Sequence, residues 1–195
     1  MTIWTIALIC YIGFSILTFI PVGVAMLKKV KLHHGGESFE ESPHFSEESK
    51  KELMQHYSRI HGTLIFWKNK AEWYKRFHFY TLLWTIPVSI LIPIISQSLD
   101  TTTESKLFLT IISSHIAILF AFHRALKVEN NFKAFRHGES EFYDLYRRLL
   151  DRPLTFGNTE EVQLENYFSE VEKIRKSVRI AETDNFPMIE DNKKT

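Results

Sequence analysis

Three stretches of this chain contain no charged residue, and they constrain its fold more than any other feature. Residues 3–27 (IWTIALICYIGFSILTFIPVGVAML), 78–99 and 107–123 hold no Asp, Glu, Lys or Arg, so all 24 basic and 23 acidic residues fall elsewhere in the 195. The net charge of +1 conceals that partition and supplies no global basic field of the kind that draws a protein to nucleic acid. The single cysteine, Cys10, lies inside the first apolar run, which excludes an intramolecular disulfide and a cysteine zinc site.

The first run is long enough to cross a hydrocarbon core of roughly 30 Å as a helix. A cleaved signal peptide would carry a basic start and a small-residue cleavage site. Nothing basic precedes Ile3, and VGVAMLKK is a poor cleavage context, so the run reads as a retained helix. Pro21 and Gly23 can bend its inner end. The second run, FYTLLWTIPVSILIPIIS over residues 79–96, contains Pro87 and Pro93, which membrane helices tolerate better than soluble ones. The third, LFLTIISSHIAILFAF over residues 107–122, spans only about 24 Å at the helical rise. Lys106 and Arg124 can snorkel outward and make up the difference.

Basic flanks give an orientation. Lys28, Lys29 and Lys31 follow the first run, Lys68, Lys70, Lys75 and Arg76 precede the second, and Arg124, Lys127, Lys133 and Arg136 follow the third. The opposite side has Lys106 alone, beside Asp100 and Glu104. The positive-inside rule then predicts an N-terminus outside, residues 28–76 inside, 97–106 outside and the C-terminus in the cytoplasm, as a multi-pass protein of the cell inner membrane. QSLDTTTESK becomes a short outer turn, and runs two and three a tight hairpin.

Helical periodicity continues beyond the apolar runs. Leu53, Tyr57, Ile60, Leu64, Trp67, Ala71 and Tyr74 alternate steps of four and three, the seam of a packed helix. Ser46, followed by Glu47 and Glu48, is placed to cap that helix, which has no breaker between Leu64 and Thr85. After the third run the same alternation reads Ala121, Ala125, Val128, Phe132, Phe135, Glu139, Phe142, Tyr146 and Leu149, with Gly138 beside the polar intruder, until Pro153 ends it. Both arms extend from one hairpin, so the expectation is an antiparallel cytosolic stalk. A last helix is predicted from Glu160 to about Glu182, capped by Thr159, with a seam of Leu164, Tyr167, Val171, Ile174, Val178 and Ala181 that covers the stalk or pairs with another subunit.

The fold class is therefore an all-α integral membrane protein with three transmembrane helices, two of them continuing into the stalk, plus a C-terminal helix. Its parts are an N-terminal transmembrane helix (1–27), a cytosolic linker (28–46), a transmembrane hairpin at about 77–97 and 106–123 with helical arms (47–152), a C-terminal cytosolic helix (153–183) and a flexible tail (184–195).

A membrane hairpin with long helical arms on one side resembles the SLATT family, the two-transmembrane effector domains associated with bacterial nucleotide-signalling immunity genes. The stretches that carry the resemblance are AEWYKRFHFYTLLWTIPVSILIPIIS, LFLTIISSHIAILFAFHRALKVENNFKAFR, ESEFYDLYRRLL and the terminal helix ending in ETDNFP, within residues 50–187. The N-terminal helix is additional to the two-helix pattern. The resemblance implies an oligomeric pore- or channel-forming effector of an anti-phage system. Such an effector compromises the host membrane once a nucleotide-type signal, made by a partner enzyme, changes.

No chemistry of catalysis is legible: G-x-x-x-x-G-K-[ST], G-x-S-x-G and H-E-x-x-H are all missing from the sequence. His33 and His34 lie in a Gly-containing linker, and His56 and His61 are five apart, so paired ligands at coordination spacing are lacking; no metal and no cofactor are expected. The polar waist of the third run, Ser113, Ser114 and His115, admits two readings. The serines can back-bond to their own helix while a neutral His115 bonds a neighbour, or a homo-oligomer can ring these groups around a water-filled path. For an anionic nucleotide or short single-stranded oligonucleotide, the candidate seats are Lys173, Arg175, Lys176 and Arg179 on the terminal helix, and Arg147 and Arg148 near Arg152 at the end of the stalk. The bland reading of the same residues is a solvated face, with Glu170 and Glu172 nearby. Set against the pore is a non-conducting, membrane-anchored scaffold that recruits a partner through its coiled cytosolic helices.

Overall fold

A computed structural model describes residues 2–28, 32, 38–99 and 102–185 of the chain. Among the described residues the secondary structure is all helical: α1 (Ile3–Leu27), α2 (Glu47–Gln97), α3 (Thr103–Ala125), α4 (Val128–Asp151), a short 3-10 turn (Pro153–Thr155) and α5 (Glu160–Asp184). The chain divides into two compact units. The first takes residues up to Lys28 and Trp73–Glu129; the second takes Lys29–Glu72 and Asn130–Asn185. Three helices among the described residues, α1, α2 and α3, are long and apolar enough to cross a membrane.

The first unit is built from α1, the later part of α2 and α3. Its core comprises Val22, Phe77, Tyr80, Trp84, Val88, Phe108, Ile112, Leu119 and Val128, with Trp4 and Tyr11 packed against it. The outward faces are more apolar still: Ile9 and Leu17 of α1, Leu83 and Ile90 of α2, and Ile118 and Phe120 of α3 are all exposed. Water does not favour so much exposed hydrocarbon, whereas lipid is indifferent to it. Hydroxyls within these helices bond to their own backbone. Thr18 donates to the Phe14 carbonyl at 2.8 Å, Thr81 to Phe77 at 3.0 Å and Thr110 to Lys106 at 2.9 Å, which removes bare donors from the apolar surface. Pro87 and Pro93 lie inside α2 without interrupting it.

The second unit packs the first part of α2 with α4 and α5. Leu53, Tyr57, Ile60, Leu64, Trp67 and Ala71 are buried, as are Phe135, Phe142, Tyr146 and Leu149 of α4 and Leu164, Tyr167, Val171, Ile174 and Val178 of α5. Aromatic contacts join the seams: Tyr57 meets Phe142 at 6.2 Å and Tyr146 at 5.6 Å between centroids, and Phe66 meets Phe135 at 5.8 Å. Such pairs are worth about 0.5–1.5 kcal/mol beyond their area burial. The α5 stripe is thus covered within this chain. Glu139, the polar intruder, is buried but paired: Arg136 donates to it at 2.6 Å and the Lys68 ammonium lies 3.9 Å away.

Three expectations need correction. The helix leaving the third apolar run does not continue; it breaks at Leu126–Lys127, where Lys127 takes a φ of 41°. The turn resets the helical phase, so Ala121 and Ala125 are exposed and the packed seam of the arm begins at Val128. The stretch taken as a linker is partly docked: Phe39 and Phe45 are buried, and Phe39 lies 4.3 Å from the Tyr146 ring and 6.0 Å from Tyr167. Two phenylalanines in a polar stretch gain by leaving water. Thr159 makes no side-chain cap bond to α5; its carbonyl accepts the Gln163 N–H instead. The last helix starts at Glu160, where the sequence places it, and runs to Asp184; the tail beyond Asn185 lies outside the described residues.

Ser46 does close the start of α2, with help from a distant residue. Its hydroxyl accepts the Ser49 N–H at 3.4 Å and donates to Glu160 Oε2 at 2.8 Å. The Ser49 hydroxyl (2.7 Å) and the Ser46 N–H (3.2 Å) reach the same oxygen. Glu160 therefore joins the first turn of α5 to that of α2, and hydrogen bonds from Ser49 first, then Ser46, hold its carboxyl below the ordinary range.

Candidate functional site

Polar groups in the membrane-length helices converge on one place. His115 of α3 is half-buried, with Nδ1 2.7 Å from the Tyr11 hydroxyl of α1 and Nε2 3.4 Å from the Tyr80 hydroxyl of α2. A neutral imidazole offers one donor and one acceptor, and this pair of phenols can satisfy both. The Trp84 ring stands 5.5 Å from His115, and its Nε1–H donates to the Thr18 hydroxyl at 3.0 Å. Each of the three helices contributes, because Tyr11 and Thr18, Tyr80 and Trp84 lie two helical turns or one turn apart on their inward faces. Ser113 is half-buried and Ser114 exposed. Successive residues on an α-helix point about 100° apart, so the three polar residues of the waist do not share one direction.

Nearer the end of α3, His78 Nδ1 and His123 Nε2 share a hydrogen bond of 2.8 Å. A cleft of about 400 Å³ also opens in this unit among Cys10, Phe14, Leu83, Pro87 and Leu91, lined almost wholly by apolar side chains.

The basic candidates of the second unit separate into different settings. Lys173 is tied to Glu170 at 2.6 Å. Arg148 lies over the Phe156 ring at 4.7 Å and borders a groove whose other walls include Glu141, Asp144 and Glu170. Arg147, Lys176 and Arg179 are exposed to solvent. Arg175 is half-buried and faces His56 of α2 across a separate cleft. Burial, then the neighbouring Arg175 and Arg59, push the His56 pKa down to about 4, so His56 is neutral near pH 7. The six basic residues therefore form no single patch.

Sequence reasoning did not find Tyr11, Tyr80, Trp84 or His56. The first three sat in apolar runs where aromatic residues are unremarkable, and their partners are remote in sequence. His56 was considered only as a metal ligand; among the described residues no cluster of three or more metal-ligating side chains occurs. No family model, curated protein or solved structure matches the chain.

Proposed function

We propose that this chain is a homo-oligomeric, pore- or channel-forming effector of the inner membrane, gated from its cytosolic unit by an anionic nucleotide or short oligonucleotide. The observation that carries the reading is a stripe along α3. Thr110, Ser114, Ala117 and Ala121 are all exposed and follow one another at steps of four and three, so they lie on one face amid the exposed bulk of Ile118, Phe120 and Phe122. Small residues in that register let membrane helices approach closely, and hydroxyls in lipid find partners on the next helix or in water. A second copy of α3 fits that face, and Ser114 would then stand at the contact or beside the path it encloses. Topology with N-terminus outside and C-terminus inside follows from the basic flanks. The opposed order of the α2–α4 aromatic contacts favours the antiparallel stalk. The resemblance to SLATT domains supplies the defence role and the class of signal.

The scaffold reading draws on one observation of its own: both ring nitrogens of His115 are engaged within the chain, which takes that group away from a shared path. The deciding experiment is purification in detergent, subunit counting, and ion flux from liposomes for the wild type, Ala117→Leu and Ser114→Leu. The pore reading expects an oligomer of three or more copies and measurable flux. It also expects loss of assembly in Ala117→Leu, and altered conductance with retained assembly in Ser114→Leu. A monomer, or an oligomer without flux across all ligands of the signalling class, supports the scaffold.

A further inference from the structure

The cleft between α2 and α5 in the second unit has a volume of about 390 Å³ and is bordered by His56, Glu165, Phe168, Ser169, Glu172 and Arg175. Its walls hold unspent hydrogen-bonding capacity. His56 Nδ1 and Arg175 Nε, both on residues that line the cleft, are buried with no hydrogen-bond partner among the described residues. The His56 ring lies 4.2 Å from that of Phe168, which fixes its orientation. Buried polar atoms are satisfied in the great majority of proteins, and a cluster of exceptions calls for an occupant. The chemistry of the occupant follows from the groups. Arg175 offers an N–H that cannot lose its proton, and the His56 imidazole can donate from Nδ1. An oxyanion accepts both donors at once, and it also turns a site that repels protonated imidazole into one that welcomes it.

We infer that this cleft is a binding site for a phosphoryl group, with Arg175 as its principal donor and His56 as the second. Glu165 and Glu172 at the rim limit the charge the site tolerates, so it selects a single phosphoryl group over an extended polyanion. The inference deepens the ligand-gated reading and rests on it only for the class of ligand.

The test reads binding rather than conduction, so the two can fail separately. The full-length protein in detergent, labelled at histidine, is titrated with inorganic phosphate while the imidazole resonances are followed by NMR; His56→Gln assigns the His56 signal. The expected result is a saturable shift of that signal. Loss of one charge-assisted hydrogen bond in Arg175→Gln weakens the affinity roughly tenfold or more. Lys176→Gln, one position on and exposed, changes it by less than about twofold. Arg175→Lys, which retains the charge without the planar fork, falls between. No saturable shift of His56, or equal weakening by Arg175→Gln and Lys176→Gln, overturns the assignment, the latter outcome marking diffuse electrostatics. Should Arg175→Gln lose its thermal transition, the Arg175→Lys and Lys176→Gln comparison with the wild type decides alone. Phosphate binding in a protein that conducts no ions would leave this site standing while the pore fell.

Discussion

Gly138 is buried in α4 at the point where α5 and α2 come closest to it. A Cβ built there would overlap Val178 Cγ2 of α5 and sit 3.3 Å from Cε3 and Cζ3 of the Trp67 ring. Neither neighbour can withdraw easily, since Trp67 and Val178 are 4% and 5% exposed and valine is stiff about χ1. Gly138→Ala should therefore incur an overpacking cost of about 1–3 kcal/mol. The change also gains about 1 kcal/mol from helix propensity. The net destabilisation is about 0–2 kcal/mol, or a fall in Tm of up to roughly 8 °C for a chain of this length. Gly62→Ala on α2 is the internal control: its added Cβ meets nothing within 4 Å, so the propensity gain stands alone and the variant should be more stable by about 0.5–1 kcal/mol. Thermal unfolding in detergent, read by circular dichroism, measures both. In a Val178→Ala background, Gly138→Ala should turn neutral or stabilising, because the obstructing methyl is gone. A stabilised Gly138→Ala, or a penalty unchanged by Val178→Ala, would refute the packing described here.

Two further outcomes follow from groups in the same unit. His56 titrates near 4 in the folded protein against 6.5 when unfolded, so the unfolded chain takes up the proton first and stability is lost as pH falls from about 7 towards 4. After discounting for its partial exposure the effect is about 1–2 kcal/mol, and His56→Gln should flatten the decline in Tm between pH 7 and 5; an unchanged slope would mean that burial and the neighbouring Arg175 and Arg59 do not depress its pKa. At Glu139, Arg136→Ala leaves a buried carboxylate with Lys68 alone and should destabilise by about 1–3 kcal/mol, whereas Glu139→Leu removes the charge and should cost less. The reverse order in chemical denaturation would argue that the carboxylate is satisfied by solvent.

Much of the helical pattern was legible because two strong signals agreed. Charge-free runs fixed α1 at residues 3–27, and four-three spacing placed the seams of α2 and α5. The break at Leu126–Lys127 was not legible: Ala121, Ala125 and Val128 keep the same spacing through it, and neither Gly nor Pro marks a turn there. Burial of Phe39 and the Tyr11–His115 bond depend on partners brought together only by the tertiary fold, and no local pattern records them. Lys173, Arg148 and Arg175 all stand beside carboxylates, and Arg175 is set apart by the facing His56 and its unpartnered Nε. That difference is a matter of which helix lies opposite, which spacing along α5 cannot state.

The Tyr11–His115 bond has a consequence for biogenesis. Its two residues are 104 positions apart, one on the first membrane-length helix and one on the last. For a chain threaded into a bilayer from its N-terminus onward, Thr18, Thr81 and Thr110 arrive with their hydroxyls already bonded to their own helices. Tyr11 enters early and must await an imidazole that emerges only when α3 is made. Until then α1 can meet only α2, through bonds such as that from Trp84 to Thr18, and the Tyr11 hydroxyl lacks its imidazole partner. A ribosome stalled before α3 would strand the nascent chain in that condition, open to the membrane quality-control machinery that attends unpaired polar groups.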